Sequence, residues 1–285
     1  MKKEVKNIAV SVRNRLLNLS TESKRDYNAI LRHYFQERFL YRVSISPYKS
    51  SLVLKGAFLL MTKDISKFRP TKDIDFLGIS IKNGVEECTE LLKEISSITA
   101  DDGVEFITEN IKGKKINYKM DTIKGYFSID IGFDDVINNG PVEIEFPVLL
   151  DFPSPKILVY SLESAIAEKF EAIVKLNYVT SRMKDFYDLI FIAKINSFNR
   201  EVLQHAIQRT FINRGTNLED MNMVFNKNFI NDFHKQNQWQ AFINLNKIDN
   251  NRAFSEVVSQ IPSFIQPVFD SKTKNNWNPE KWKWE

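Results

Sequence analysis

Two aspartates separated by one isoleucine stand out as residues that could do chemistry. Asp73, Ile74, Asp75 and Phe76 fall in the run R-P-T-K-D-I-D-F at 69–76. Read as a strand, this run puts Asp73 and Asp75 on one face and Ile74 and Phe76 on the other, towards a core. Two carboxylates side by side repel each other unless a cation sits between them. A hard divalent ion such as Mg²⁺ suits that pair, because it takes oxygen ligands and accepts phosphate oxygens for the remainder. Upstream, Lys55-Gly56-Ala57 places a flexible glycine beside a cation, which suits a triphosphate tail. A bare D-x-D also fits a solvated strand end.

A third carboxylate sits in the clearest strand of the chain, G-Y-F-S-I-D-I-G-F at 125–133. Phe127, Ile129, Ile131 and Phe133 point one way, and Tyr126, Ser128, Asp130 and Gly132 the other. Asp130 therefore stands opposite an apolar row, as Asp75 does. Two further residues come from the helical half. Lys169 falls on or beside the apolar face of a helix over 161–177, where a lysine must be paired or snorkel, or else reach over a domain seam to the carboxylates or to phosphates. Asp185 falls in the first turn of the next helix, where the helix dipole favours an acid. Lys184 and Asp188 have the spacing of an i, i+4 pair.

The elements that must position these residues follow from periodicity. Helices are expected over 3–18 and about 22–42, with Ser20-Thr21 as the cap of the second and an aromatic stripe (Tyr27, Tyr34, Phe35, Phe39) as core. A buried segment covers 52–61, with a short helix opening near Lys55-Gly56. Arg69-Pro70-Thr71 is a turn, and a helix spans about 84–98. Residues 104–120 read as two strands joined at Lys112-Gly113-Lys114. Lysines 112, 114, 115, 119 and 124 make this region basic, as a solvated edge or a nucleic-acid surface. From Ser161 the chain reads helical, over about 161–177, 183–195, 199–213, 229–245 and 250–261. Two domains are thus expected, 1–157 and 158–285. Trp277, Trp282 and Trp284 lie among lysines in the tail and read as docked on their own domain, with stacking on bases as the alternative.

Composition excludes several classes. The 285 residues have 43% hydrophobic and 27% charged content, as a globular protein does. One cysteine and three scattered histidines rule out a disulfide framework and a Cys/His zinc site within the chain. No apolar run is long enough for a membrane span and no signal peptide is expected, so the expected location is cytoplasmic. A net charge of +4 permits a nucleic-acid partner without demanding one. Walker A and G-x-G-x-x-G patterns are absent. A D-x-D-x-[TV] phosphatase motif fails at Leu77. A calcium loop fails at Leu77 and Gly84, where oxygen ligands belong.

Five blocks in order resemble the AbiEii/AbiGii-type nucleotidyltransferase toxins of abortive-infection and toxin–antitoxin systems. They are L-K-G-A-F-L-L at 54–60, R-P-T-K-D-I-D-F at 69–76, S-I-D-I-G-F-D-D-V at 128–136, A-E-K-F-E-A-I-V-K-L at 167–176 and S-R-M-K-D-F-Y-D-L at 181–189. The resemblance implies an α+β fold: a polymerase β-like nucleotidyltransferase core, with a mixed sheet flanked by helices, followed by an all-α C-terminal domain that completes the active site. It also implies Mg²⁺, an NTP substrate, an RNA acceptor such as the tRNA 3′ end, and a cognate antitoxin. Asp73 and Asp75 match the family's metal pair, Lys169 and Asp185 its functional lysine and later aspartate, and Asp130 the acid of the I-D-I block, as third ligand or base. On this reading Asp185 orients Lys169, while Lys55, Gly56, Arg69, Thr71 and Lys184 contact the nucleotide. Where the family has Gly-Ser or Gly-Gly, this chain has Gly56-Ala57, so backbone N–H groups and Lys55 must serve for the missing hydroxyl. The same chemistry on a protein or small-molecule hydroxyl, and a degenerate binder without turnover, are the alternative readings.

Overall fold

The computed structural model describes residues 7–61, 69–109, 111, 113–248 and 252–285. The expected helix start at 3–6, Lys112, and residues 250–251 of the last expected helix lie outside them, as do residues 62–68.

The first helix, α1 (Ile8–Ser23), starts where the Asn7 side chain accepts from the Val10 amide, and buries Val12 and Leu16 one turn apart. It runs through Ser20 and Thr21, which therefore do not cap the next helix. The hydroxyls of Thr21 and Ser23 donate to carbonyls one turn back, at Leu17 and Leu19. Asp26 caps α2 (Tyr27–Ser44) instead, accepting from the Ala29 amide. The aromatic stripe on α2 is core: Phe35 stacks on Tyr118 at 3.7 Å, and Phe39 meets Phe106 and Phe127 edge-on. The same helix buries two ion pairs, Arg38 with Glu37 at 2.8 Å and Arg42 with Asp102 at 2.7 Å.

Next come β1 (Leu52–Lys55), α3 (Gly56–Leu60), β2 (Asp73–Gly78), α4 (Val85–Ser97), β3 (Glu105–Ile107), β4 (Lys115–Met120), β5 (Ile123–Gly132), β6 (Val142–Glu145) and β7 (Lys156–Val159). Among the described residues these strands form one mixed sheet in the order β3-β4-β5-β2-β1-β7-β6. The β2/β5 and β1/β7 pairs are parallel and the others antiparallel. Ile74, Phe76, Phe127, Ile129, Ile116 and Met120 are all buried, so the apolar alternation read from sequence marks the core face.

The remaining elements are α5 (Leu162–Leu176), α6 (Met183–Ile195), α7 (Arg200–Arg214), α8 (Met221–Val224), α9 (Lys227–Ile230), α10 (Phe233–Leu245), α11 (Phe254–Ile265), β8 (Trp277–Asn278) and β9 (Lys283–Trp284). The chain divides into two compact units: Met1–Asp134 with Val142–Val159, and Asp135–Pro141 with Tyr160–Glu285. Residues 135–141, inside the expected 1–157 domain, thus cluster with the helices. Asp135 pairs with Arg214 at 2.7 Å, and buried Asn138 bonds Ser164 and His205. The tryptophan tail packs on its own unit. Trp277 is buried and its indole N–H donates to the Ala193 carbonyl, while that of Trp284 donates to Phe264. No helix among the described residues is long and apolar enough to cross a membrane.

Candidate active site

In the first unit the sheet brings the strand carboxylates into register. Asp75 of β2 lies beside Asp130 of β5, and Asp73 beside Ser128. On the other side of β2, Lys55 of β1 lies beside Asp75. Partners across a ladder share a face, so Lys55, Asp75 and Asp130 form a row over three adjacent strands, with Asp73 on the same face. All four residues are half-buried. Sequence alternation predicts the face of each carboxylate; the parallel pairing puts Asp130 next to Asp75.

Gly56 opens α3 with φ +70°, and a Cβ there would collide with Asp75 Oδ2. The glycine is thus needed for its backbone shape and for the room it leaves the carboxylate. Thr71, expected to contact nucleotide, uses its hydroxyl on the backbone of Asp73: it donates to the carbonyl at 3.2 Å and lies 3.4 Å from the amide. It fixes the entry to β2. Arg69 is buried in the same unit.

Lys114 is a member of this site that sequence reasoning assigned only to the basic region. Its Nζ donates to Asp130 Oδ1 at 2.7 Å. Its pKa is raised, first by that bond and by the charge of Asp130, with Asp73 and Asp75 adding to it. A lysine sixteen residues from its partner gives no local signal; only the β4/β5 pairing reveals it.

Asp130, expected as a third metal ligand, is thus held by an ammonium. No group of three or more His, Cys, Asp or Glu side chains among the described residues is arranged to hold a metal ion. The donor set still fits Mg²⁺ in a sparser form: two hard carboxylates from one strand, with a glycine whose missing side chain leaves Asp75 room. Mg²⁺ commonly takes one or two protein carboxylates and completes its shell with water and phosphate.

The second unit holds the other matched residues. Lys169 is 9% exposed, and its Nζ lies 2.7 Å from Asp188 Oδ2 and 3.5 Å from Asp185 Oδ1. Asp185 in turn accepts from Arg182 Nε at 2.6 Å. The nearer partner of Lys169 is therefore Asp188, which has the i, i+4 spacing of a pair with Lys184. Lys184 is exposed while Asp188 is fully buried. A buried carboxylate needs a buried cation, and α5 packed on α6 supplies one.

Comparisons with known proteins bear on the family and the fold. Residues 38–260 match the family model described as nucleotidyl transferase AbiEii toxin, type IV toxin–antitoxin system. Among solved structures the fold is similar to that of MenT4, a nucleotidyltransferase toxin from Mycobacterium tuberculosis. The TM-score is 0.62 at 16% identity, covering 96% of this chain and 92% of the other. It is also similar to JHP933 from Helicobacter pylori, with a TM-score of 0.51 at 15% identity, covering 85% and 92%. At these identities the likeness is one of fold. No curated protein sequence matches the chain.

Proposed function

The chain belongs to the AbiEii family of nucleotidyltransferase toxins of type IV toxin–antitoxin systems, and on that premise we propose that it is Mg²⁺-dependent and transfers a nucleoside monophosphate from an NTP to the 3′ end of an RNA, with tRNA as acceptor. The observation that carries this reading is the row Lys55–Asp75–Asp130 with Asp73 beside it, on one sheet face and cleared by Gly56.

Asp73 and Asp75 would hold the metal. Once bound, Mg²⁺ neutralises charge on the triphosphate and on the departing pyrophosphate. Lys55, next to Asp75, offers a second positive charge to the same phosphates. Asp130 stands ready as the base. The acceptor hydroxyl oxygen bonds to the α-phosphorus, the bond to the β-phosphate bridging oxygen breaks, and the hydroxyl proton passes to Asp130. Lys114 pairs with the Asp130 carboxylate and turns to the substrate phosphates as that carboxylate takes the proton. In the helical unit, Asp188 and Asp185 fix the ammonium of Lys169, and Lys169 and Asp185 are carried over as functional residues on the match of their blocks. A cognate antitoxin follows from the family. We place the action in the cytoplasm, where NTPs and tRNA are found.

The test is transfer of α-labelled NTPs into total bacterial RNA with Mg²⁺, beside Asp75→Ala. Label in a tRNA-sized band, lost in the variant, is the expected result. Label entering protein or small molecules instead would overturn the RNA acceptor.

A further inference from the structure

The sheet face that carries the carboxylates continues outward across β5 and β4. Along β5 it presents Asp130, Ser128, Tyr126 and Lys124. Their ladder partners on β4 are Lys115 opposite Ser128, Asn117 opposite Tyr126 and Lys119 opposite Lys124. The opposite face of the same two strands is core, with Ile116, Tyr118, Met120, Phe127 and Ile129 buried. Tyr126 is 56% exposed, a large aromatic left at the surface among lysines. The Lys115 ammonium lies 3.7 Å from its ring centroid. Lys119 is tied to Glu105 at 3.7 Å.

Protection of a sheet edge does not by itself account for this composition. Strand β5 is interior, between β4 and β2, and β3 pairs with β4 over Asn117, Tyr118 and Lys119. The β2 ladder reaches β5 only from Ser128 onward, so Lys124 and Tyr126 are paired through β4 alone. Edge protection explains lysines there but not Tyr126, a large exposed aromatic beside them. Cations that track a backbone, with an aromatic ring for a base, are the components of a single-strand nucleic-acid surface. Their position supplies the link to the reaction. Tyr126 is four residues before Asp130 on one strand, about 13 Å along it, a span that a few nucleotides of single strand cover.

We infer that the outer face of β4 and β5 is the platform for the acceptor strand: Tyr126 stacks on a base near the RNA 3′ end, and Lys115 and Lys124 take its phosphates, so that the terminal hydroxyl reaches Asp130. This rests on the RNA-acceptor reading above. It adds which surface binds the acceptor and from which direction the strand enters.

The test uses the full chain and a short RNA with a single-stranded 3′ end, carrying 2-aminopurine at each of the last few positions in turn. Stacking on Tyr126 quenches the fluorescent base at one of them. Tyr126→Ala abolishes that quench and raises KM for RNA about tenfold, the size of one base stack, with KM for NTP unchanged. Tyr126→Phe keeps both. Lys124→Ala reduces the salt slope of RNA binding by about 0.7, the value for one phosphate on a single strand. The side chains changed are at the surface, and an unchanged melting temperature verifies the fold. If Tyr126→Ala extends RNA with the wild-type KM and the same quench, the platform is overturned while the transferase reading stands. If wild-type protein labels no RNA, both fall together.

Discussion

The carboxylate of Asp75 occupies the space that any side chain on Gly56 would need. The two residues lie on neighbouring segments of one sheet: Gly56 follows Lys55, which pairs with Asp75 across β1 and β2. Gly56→Ala therefore has two effects. The positive φ of 70° costs about 1–2 kcal/mol with any L side chain. The methyl group also pushes Asp75 aside, and a displacement of this kind costs on the order of a hundredfold in rate. The expected outcome is a folded protein, by circular dichroism and thermal melt, with nucleotide transfer reduced a hundredfold or more. Transfer within a few-fold of wild type would mean that Asp75 tolerates the shift.

Asp73 and Asp75 are half-buried on one face, with Asp130 in register. Like charges at this spacing repel. Mg²⁺ should therefore raise the melting temperature of the wild-type protein, since it binds only the folded site. Asp75→Asn should melt at or above the metal-free wild-type temperature and lose the Mg²⁺ response. Turnover should fall by several orders of magnitude. A differential scanning experiment across Mg²⁺ concentrations reads the first two effects without any assay of activity.

Lys169 lies between Asp188 and Asp185 in the helical unit, with all three side chains nearly or fully buried. Lys169→Met leaves two carboxylates without that cation and should cost about 3–5 kcal/mol. Lys184→Ala, at an exposed position, should stay within about 0.5 kcal/mol. A double-mutant cycle in urea separates the two readings of Asp188. Strong coupling of Asp188→Asn to Lys169→Met, with none to Lys184→Ala, is expected.

His33 on α2 is buried against Phe58 and Phe146, and neither ring nitrogen has a hydrogen-bond partner among the described residues. Burial, with a smaller contribution from the charge of Arg25, lowers its pKa from 6.5 to about 3. The unfolded chain then binds a proton that the folded chain refuses. Stability is full above the unfolded pKa and is lost as pH falls from about 6.5 towards 3, by up to about 1.4 kcal/mol per pH unit. His33→Leu removes this dependence and two orphaned polar atoms. It should flatten the stability profile in that window and make the variant the more stable protein at pH 5, measured by urea denaturation.

What the sequence determined by itself is local and periodic. The alternation in 73–76 and 125–133 assigned Asp73, Asp75 and Asp130 to the outward face of their strands, because consecutive side chains on a strand must point to opposite sides. The aromatic spacing of α2 marked Phe35 and Phe39 as core for the same kind of reason, and both are buried. Tertiary structure decided what depends on pairing between distant segments. The parallel register of β2 and β5 set Asp75 beside Asp130, and the β4/β5 ladder delivered Lys114 to that carboxylate. The packing of α5 on α6 gave Asp188 to Lys169 in place of Lys184. Even Ser20 and Thr21, good cap residues by type, ended inside α1, and Asp26 caps α2 in their place. Each of these outcomes is a competition among partners for one group. The winner is set by burial and distance in the folded chain, neither of which spacing along the sequence contains.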